Sequence, residues 1–170
     1  CGSGATDGGK DSDASASNDS TPIKVGIVTD LTGGLGVYGT AEKAAYEIAA
    51  EEINASGGIL GRDVDLTVYD CQSDNNVYQE MARKLCLEDD VDVVFGGVTS
   101  ASREAIRPIM ESNEKLYIYP EQYEGGVASH YTFCTSAIPE MQIDFMIEYL
   151  LGEDMYPGAK CYILAADYNF

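Results

Sequence analysis

From Ile23 onward, short β-branched runs alternate with stretches of helical period, and this alternation decides the architecture. Ile23–Thr29 (IKVGIVT) is too short and too branched for a helix and reads as a buried strand. The same kind of run recurs at Val64–Asp70 (VDLTVYD), Val91–Gly97 (VDVVFGG) and Lys115–Pro120 (KLYIYP). Between the runs lie helical patterns. Thr40–Gly58 places Ala41, Ala45, Ile48, Ala49 and Ile53 on one face and ends at the αL-prone pair Gly57 and Gly58. Asn75–Asp90 spaces Val77, Met81 and Leu85 by fours, and Ser102–Asn113 carries Pro108, which predicts a kink or a shortened helix. Strands that read apolar throughout and alternate with helices make a parallel sheet covered on both faces, so the fold class is α/β, doubly wound.

The pattern divides the chain. Residues 1–22 carry Gly, Ser and Asp with almost nothing apolar and read as a flexible tether, spanning on the order of 25 Å as a coil. Residues 23–134 form the first α/β lobe. Tyr131–Pro139 adds an extended segment, Ile138–Asp154 a further amphipathic helix and Ala159–Phe170 a further strand. A last strand with no successor leaves a sheet unfinished, so residues 135–170 read as a crossing and the start of a second lobe whose remainder is absent. The alternative is that this helix and strand complete the first sheet.

Charge and cysteine usage narrow the function. With 10 Lys+Arg against 29 Asp+Glu, the formal charge of −19 excludes a phosphate-backbone binder, so no nucleic-acid partner is expected. No apolar run reaches the roughly 20 residues of a membrane-spanning helix. A chain that starts at Cys1 and continues into a polar spacer fits signal-peptide removal with a diacylglycerol on the new thiol. Cys1 is therefore the expected lipid attachment point, with the body outside the cytoplasm; an arbitrary start is the plain alternative. Cys71 and Cys86 are separated by a helix of about a dozen residues, beyond the ~7 Å Cα limit of a disulfide. A Cys134–Cys161 bridge stays geometrically open. All four are expected as core thiols. With no C-x-x-C and only His130, neither a metal nor another cofactor is expected.

In open α/β sheets, ligands sit beyond the carboxyl ends of the strands, which singles out four loops. Thr32–Gly39 (TGGLGVYG) permits close backbone approach, or simply turns the chain. Thr99-Ser100-Ala101-Ser102 opens a helix, where hydroxyls and free amides converge on a polar group, or merely cap it. Tyr117–Gly125 sets tyrosines beside Glu121 and Glu124, giving aromatic walls with polar tips, or a solvated acidic loop. Asp167–Phe170 repeats the aromatic theme at the end of the chain, or frays.

Together, IKVGIVTDLTGGLGVYG, AAEEINASGGILGRDVDLTVYDCQSD, VFGGVTSASREAIRPIMESNEKLYIYPEQYEGG and ADYNF resemble the extracellular solute-binding proteins of ABC importers with the type I periplasmic-binding fold. The opening segments are similar to branched-chain amino-acid binders, and TSASR and YPEQYEG to the narrower urea and short-chain amide branch. The resemblance implies a lipid-anchored, two-lobed clamp that closes on a small solute and docks on permease subunits, with no catalysis. It implies cleft positions at Thr99 and Ser100, at Tyr119 and Glu121, and at Tyr168 and Phe170 from the opposing lobe, with a hinge near Cys134–Pro139. A hydroxyl and an amide N–H would hold the solute oxygen while a carboxylate or tyrosine oxygen receives its nitrogens.

Position 121 departs from that branch, in which it is usually small or apolar. A glutamate there wants a donor-rich or cationic partner, which points to a guanidinium-like solute or an amine-bearing amide. A different class also fits part of the pattern. Thr29, Thr32, Gly33 and Gly34 follow the first strand as in flavodoxin-like enzymes and could cradle a phosphate, although the net charge opposes an anionic cofactor.

Overall fold

A computed structural model describes residues 20–153, 155–165 and 167. Five parallel strands, β1 (Ile23–Thr29), β2 (Val64–Asp70), β3 (Val93–Gly96), β4 (Leu116–Tyr119) and β5 (Thr132–Cys134), lie in the order β2-β1-β3-β4-β5. Helices α1 (Gly36–Ala55), α2 (Asn75–Leu87) and α3 (Ser100–Ser112) make the crossovers between β1 and β4. Central β1 is buried because neighbours flank it on both edges and helices cover both faces: Ile27 and Val28 are fully enclosed.

Alternate residues of each strand face opposite layers. Val28, Val94, Tyr117 and Tyr119 point toward α2 and α3, where Leu85, Ile106 and Met110 complete a core with no solvent exposure. Phe95 points the other way, with its ring centroid 5.9 Å from that of Tyr46 on α1. Leu85 fits because Gly26 has no side chain: a Cβ there would stand 2.7 Å from a Leu85 methyl. Leu85→Ala should therefore open a cavity between α2 and β1 and cost about 3 kcal/mol in equilibrium urea unfolding.

Several expectations are met and several are corrected. Gly57 and Gly58 take φ of 98° and 74° and close α1 as anticipated, with the Gly58 amide donating to the Ile53 carbonyl at 2.9 Å. Helix α1 starts four residues earlier than expected and presents a different face. Ala41, Ala45, Ile48 and Ala49 are exposed, while Gly39 and Ala50 are buried and Glu42, Tyr46 and Ile53 half-buried. Gly39 sets this rotation, since a Cβ there would lie 2.0 Å from the Asp30 carbonyl oxygen and only glycine lets the helix sit so close. Alanines are good helix formers anywhere, so their spacing misleads. Pro108 does not shorten α3, which runs on to Ser112.

Among the described residues the four cysteines are free; Cys71 and Cys86 are buried, but Cys134 is only half-buried and Cys161 is exposed, so Cys161 is not a core thiol. Helix α4 (Pro139–Leu151) forms as expected behind Pro139 at its first turn, yet none of its residues is buried, and Phe145 is 74% exposed. The strand expected at Ala159–Phe170 is absent over its described part. Residues 159–165 have no regular structure, and Tyr162, Ile163 and Leu164 stand open to solvent. A strand exists only where a neighbour takes its N–H and C=O groups, and none lies beside this segment among the described residues.

Candidate functional site

The strand order reverses between β1 and β3, since the β1–α1–β2 crossover runs one way and later crossovers run the other. Loops leaving these strands must part there, which opens a crevice at their carboxyl ends. A cavity of about 460 Å³ occupies it. Thr99, Ser100, Tyr119 and Glu121, the four expected positions among the described residues, all line it. Leu35 at the N-cap of α1, Tyr38 in its first turn, Val98 and Gln122 complete the wall. Tyr168, Phe170 and Cys1 lie outside the described residues.

Two glycines deliver the chain from β3 to the cavity. Gly96 and Gly97 have φ of 118° and 87°, and the Gly96 carbonyl accepts the Tyr117 hydroxyl at 2.9 Å. Helix α3 then begins with a capping box. The Thr99 hydroxyl accepts from the Ser102 amide at 3.1 Å, and the Ser102 hydroxyl accepts from the Thr99 amide at 3.1 Å. The plain capping role of Thr99 is thus realised, although the residue still borders the cavity.

Ser100 is 4% exposed, and its hydroxyl proton is committed, donated to Glu124 Oε2 at 2.6 Å. Behind it stands Arg103, 1% exposed, whose Nη2 meets Glu124 Oε1 at 2.5 Å and whose Nη1 lies 3.3 Å from Ser100 Oγ. The guanidinium also sits 5.1 Å from the Tyr119 ring and 5.7 Å from that of Tyr123. Burial by itself would raise the Glu124 pKa, but hydrogen bonds from Arg103 and Ser100 outweigh it and hold the carboxyl below its usual range. Burial pushes the Tyr119 phenol up to about 12, so it stays protonated and donates to the Gln122 carbonyl at 3.4 Å.

The other wall is acidic. Glu42, one turn along α1 from Tyr38, accepts the Thr29 hydroxyl at 2.5 Å on Oε2, while its enclosed Oε1 has no hydrogen-bond partner. Burial, then the adjacent Glu121 carboxyl, push Glu42 up to about 7. Asp30, fully buried at the end of β1, accepts the Ser73 amide at 2.6 Å and adds to the repulsion. None of the ion pairs among the described residues includes Asp30, Glu42 or Glu121.

Sequence reasoning marked the Thr32–Gly39 loop, which supplies Leu35 and Tyr38, without singling out those two side chains, and it missed Glu42 because it placed α1 four residues late and rotated. It missed Arg103 as well, although an arginine three residues beyond Ser100 shares that face of the helix. The first loop is no phosphate cradle. Asp70 Oδ1 accepts the Leu31 and Thr32 amides at 2.9 and 3.1 Å, and Oδ2 accepts the Thr32 hydroxyl at 2.6 Å. A carboxylate thus fills the place a flavin phosphate would need.

Residues 23–170 match the family described as the periplasmic binding protein domain. The leucine-, isoleucine-, valine-, threonine- and alanine-binding protein of Pseudomonas aeruginosa is 32% identical over 107 residues, 63% of this chain and 28% of that protein. The branched-chain amino acid transporter substrate-binding protein LivJ of Streptococcus pneumoniae, solved with isoleucine, is 26% identical. It superposes with a TM-score of 0.71 over 78% of this chain and 38% of its own. A fatty acid ABC transporter substrate-binding protein of Thermomonospora curvata shares the fold, with a TM-score of 0.66 at 24% identity over 77% of this chain and 33% of its own. The chain thus spans well under half the length of these relatives. The switch-point crevice, the strand order and a family match from β1 to the final residue agree: this chain belongs to the periplasmic binding protein domain family.

Proposed function

We propose that this chain is the first jaw of the extracytoplasmic solute-binding component of an ABC importer, and that it captures a small nitrogen-rich solute: urea, a short-chain amide or a guanidinium-like compound. Residues 135–170 lead into a second jaw, from which Tyr168 and Phe170 close the cleft. Cys1 carries the lipid that holds the protein at the membrane, and the closed form docks on permease subunits. The observation that carries this reading is the cavity at the strand-order reversal, lined by Tyr119, Ser100 and Glu121 in a chain of this family. Its polar groups converge on a space suited to a small solute, and a second jaw would supply the contacts that one wall cannot.

A second reading, branched-chain amino-acid binding, is favoured by the names of the relatives just described. Against it stands the acidic wall: among the described residues no Lys or Arg lines the cavity to receive a carboxylate. Isothermal titration of the protein at its full native length separates the two. Saturable binding of urea, acetamide or guanidinium, with contraction in small-angle scattering, is the expected result. Binding of isoleucine alone would transfer the assignment to the amino-acid class, and binding of none of these would end it.

A further inference from the structure

Within the proposed solute-binding role, on which this inference rests, the walls of the cleft differ in what they offer. The Ser100 hydroxyl, the natural donor for a carbonyl oxygen, already gives its proton to Glu124, and the Thr99 hydroxyl belongs to the helix cap. Glu121 borders the cavity with no hydrogen-bond donor on it among the described residues, and Glu42 lies against it with an enclosed oxygen that nothing in the protein satisfies. Glu121 at an aromatic-walled cavity, with Glu42 beside it and no basic partner for either among the described residues, offers acceptors awaiting N–H donors. A flat cation with forked N–H groups matches it: the fork reaches two carboxyl oxygens and its face rests on tyrosine.

We infer that the cleft selects a small planar amidinium or guanidinium cation, that Glu121 receives it with Glu42 behind, and that Glu42 gives up its proton when the cation arrives. The exchange balances in charge: the cation enters, one proton leaves to solvent, and the net charge of the site is unchanged. The groups that face Glu42 are Thr29 and Asp30 from the end of β1, Tyr46 one turn along α1, and Glu121 from the loop after β4. Each charged member of that set is acidic. Holding Glu42 ionised there is costly without a cation, and its raised pKa follows first from burial and then from the neighbouring carboxyls.

Below about pH 7 Glu42 holds its proton and the cation must compete with it. Above that point Glu42 is free, so affinity rises with pH. The test is calorimetry on the protein at full native length with guanidinium, acetamidinium, urea, acetamide and isoleucine at pH 6 and pH 8, in two buffers of different ionisation enthalpy. The cations should bind at least about tenfold more tightly than urea and gain about tenfold between pH 6 and pH 8, with proton release detected as a buffer-dependent heat. Glu121→Gln should lose most of the cation affinity, and Glu42→Gln should abolish proton release, both with unchanged circular dichroism. Urea or acetamide binding as tightly as the cations, or cation binding indifferent to pH, would overturn the inference while leaving the solute-binding role intact. Silence toward every compound would overturn both.

Discussion

Arg103→Ala should cost about 4 kcal/mol of folding stability, read as a shift of the urea midpoint at constant slope. Three losses add. Glu124 keeps a charge without its partner, Ser100 loses the frame that aims its hydroxyl, and the space beneath Tyr119 and Tyr123 empties. Glu124 is about a third open to water, so its stranded charge is partly rehydrated and the cost stays below the upper end of such substitutions. Arg103→Lys tests the geometry rather than the charge. It keeps the cation but not the fork that meets both Glu124 and Ser100, so it should recover only part of the loss. A change of less than about 1 kcal/mol in the alanine variant would show that the pair is ordinary surface electrostatics.

Gly96→Ala should be comparably severe, at about 4 kcal/mol, from two independent sources. Its φ of 118° lies where a side chain strains the backbone, and a Cβ there would stand 2.1 Å from the Val28 carbonyl oxygen. The obstacle is main chain in the central strand and cannot swing aside. Relief requires β3 to slide away from β1, which carries Val98, Thr99 and Ser100 away from Leu35 and Tyr38. Stability and solute binding should therefore fail together. Gly34→Ala, where a Cβ meets nothing, serves as the silent control.

Much of the lobe was legible because its strands are short and rich in β-branched residues between helical stretches, and central β1 is mostly buried. β1 and β2 match their sequence reading residue for residue, and Ala82, Leu85 and Cys86 sit near the expected face of α2. The rotation of α1 was not legible, since it depends on Gly39 meeting the carbonyl of Asp30, nine residues back and just past the end of β1. The cleft loops announced four lining residues through tyrosines and hydroxyls at strand ends. The use of those hydroxyls was hidden, because Ser100 is claimed by Glu124 and Arg103 through contacts spanning a loop, which spacing does not encode. The strand expected after residue 158 failed for a related reason: an apolar run specifies the need for a partner and says nothing about whether one is there.

All five strands, and the three helices that cross between them, fall within residues 23–134 in unbroken chain order. Each new strand joins a sheet edge already made by its predecessors, so every strand pairing of this sheet is complete without any residue beyond Cys134. A lobe connected this way holds its share of the cleft in a single uninterrupted stretch of chain.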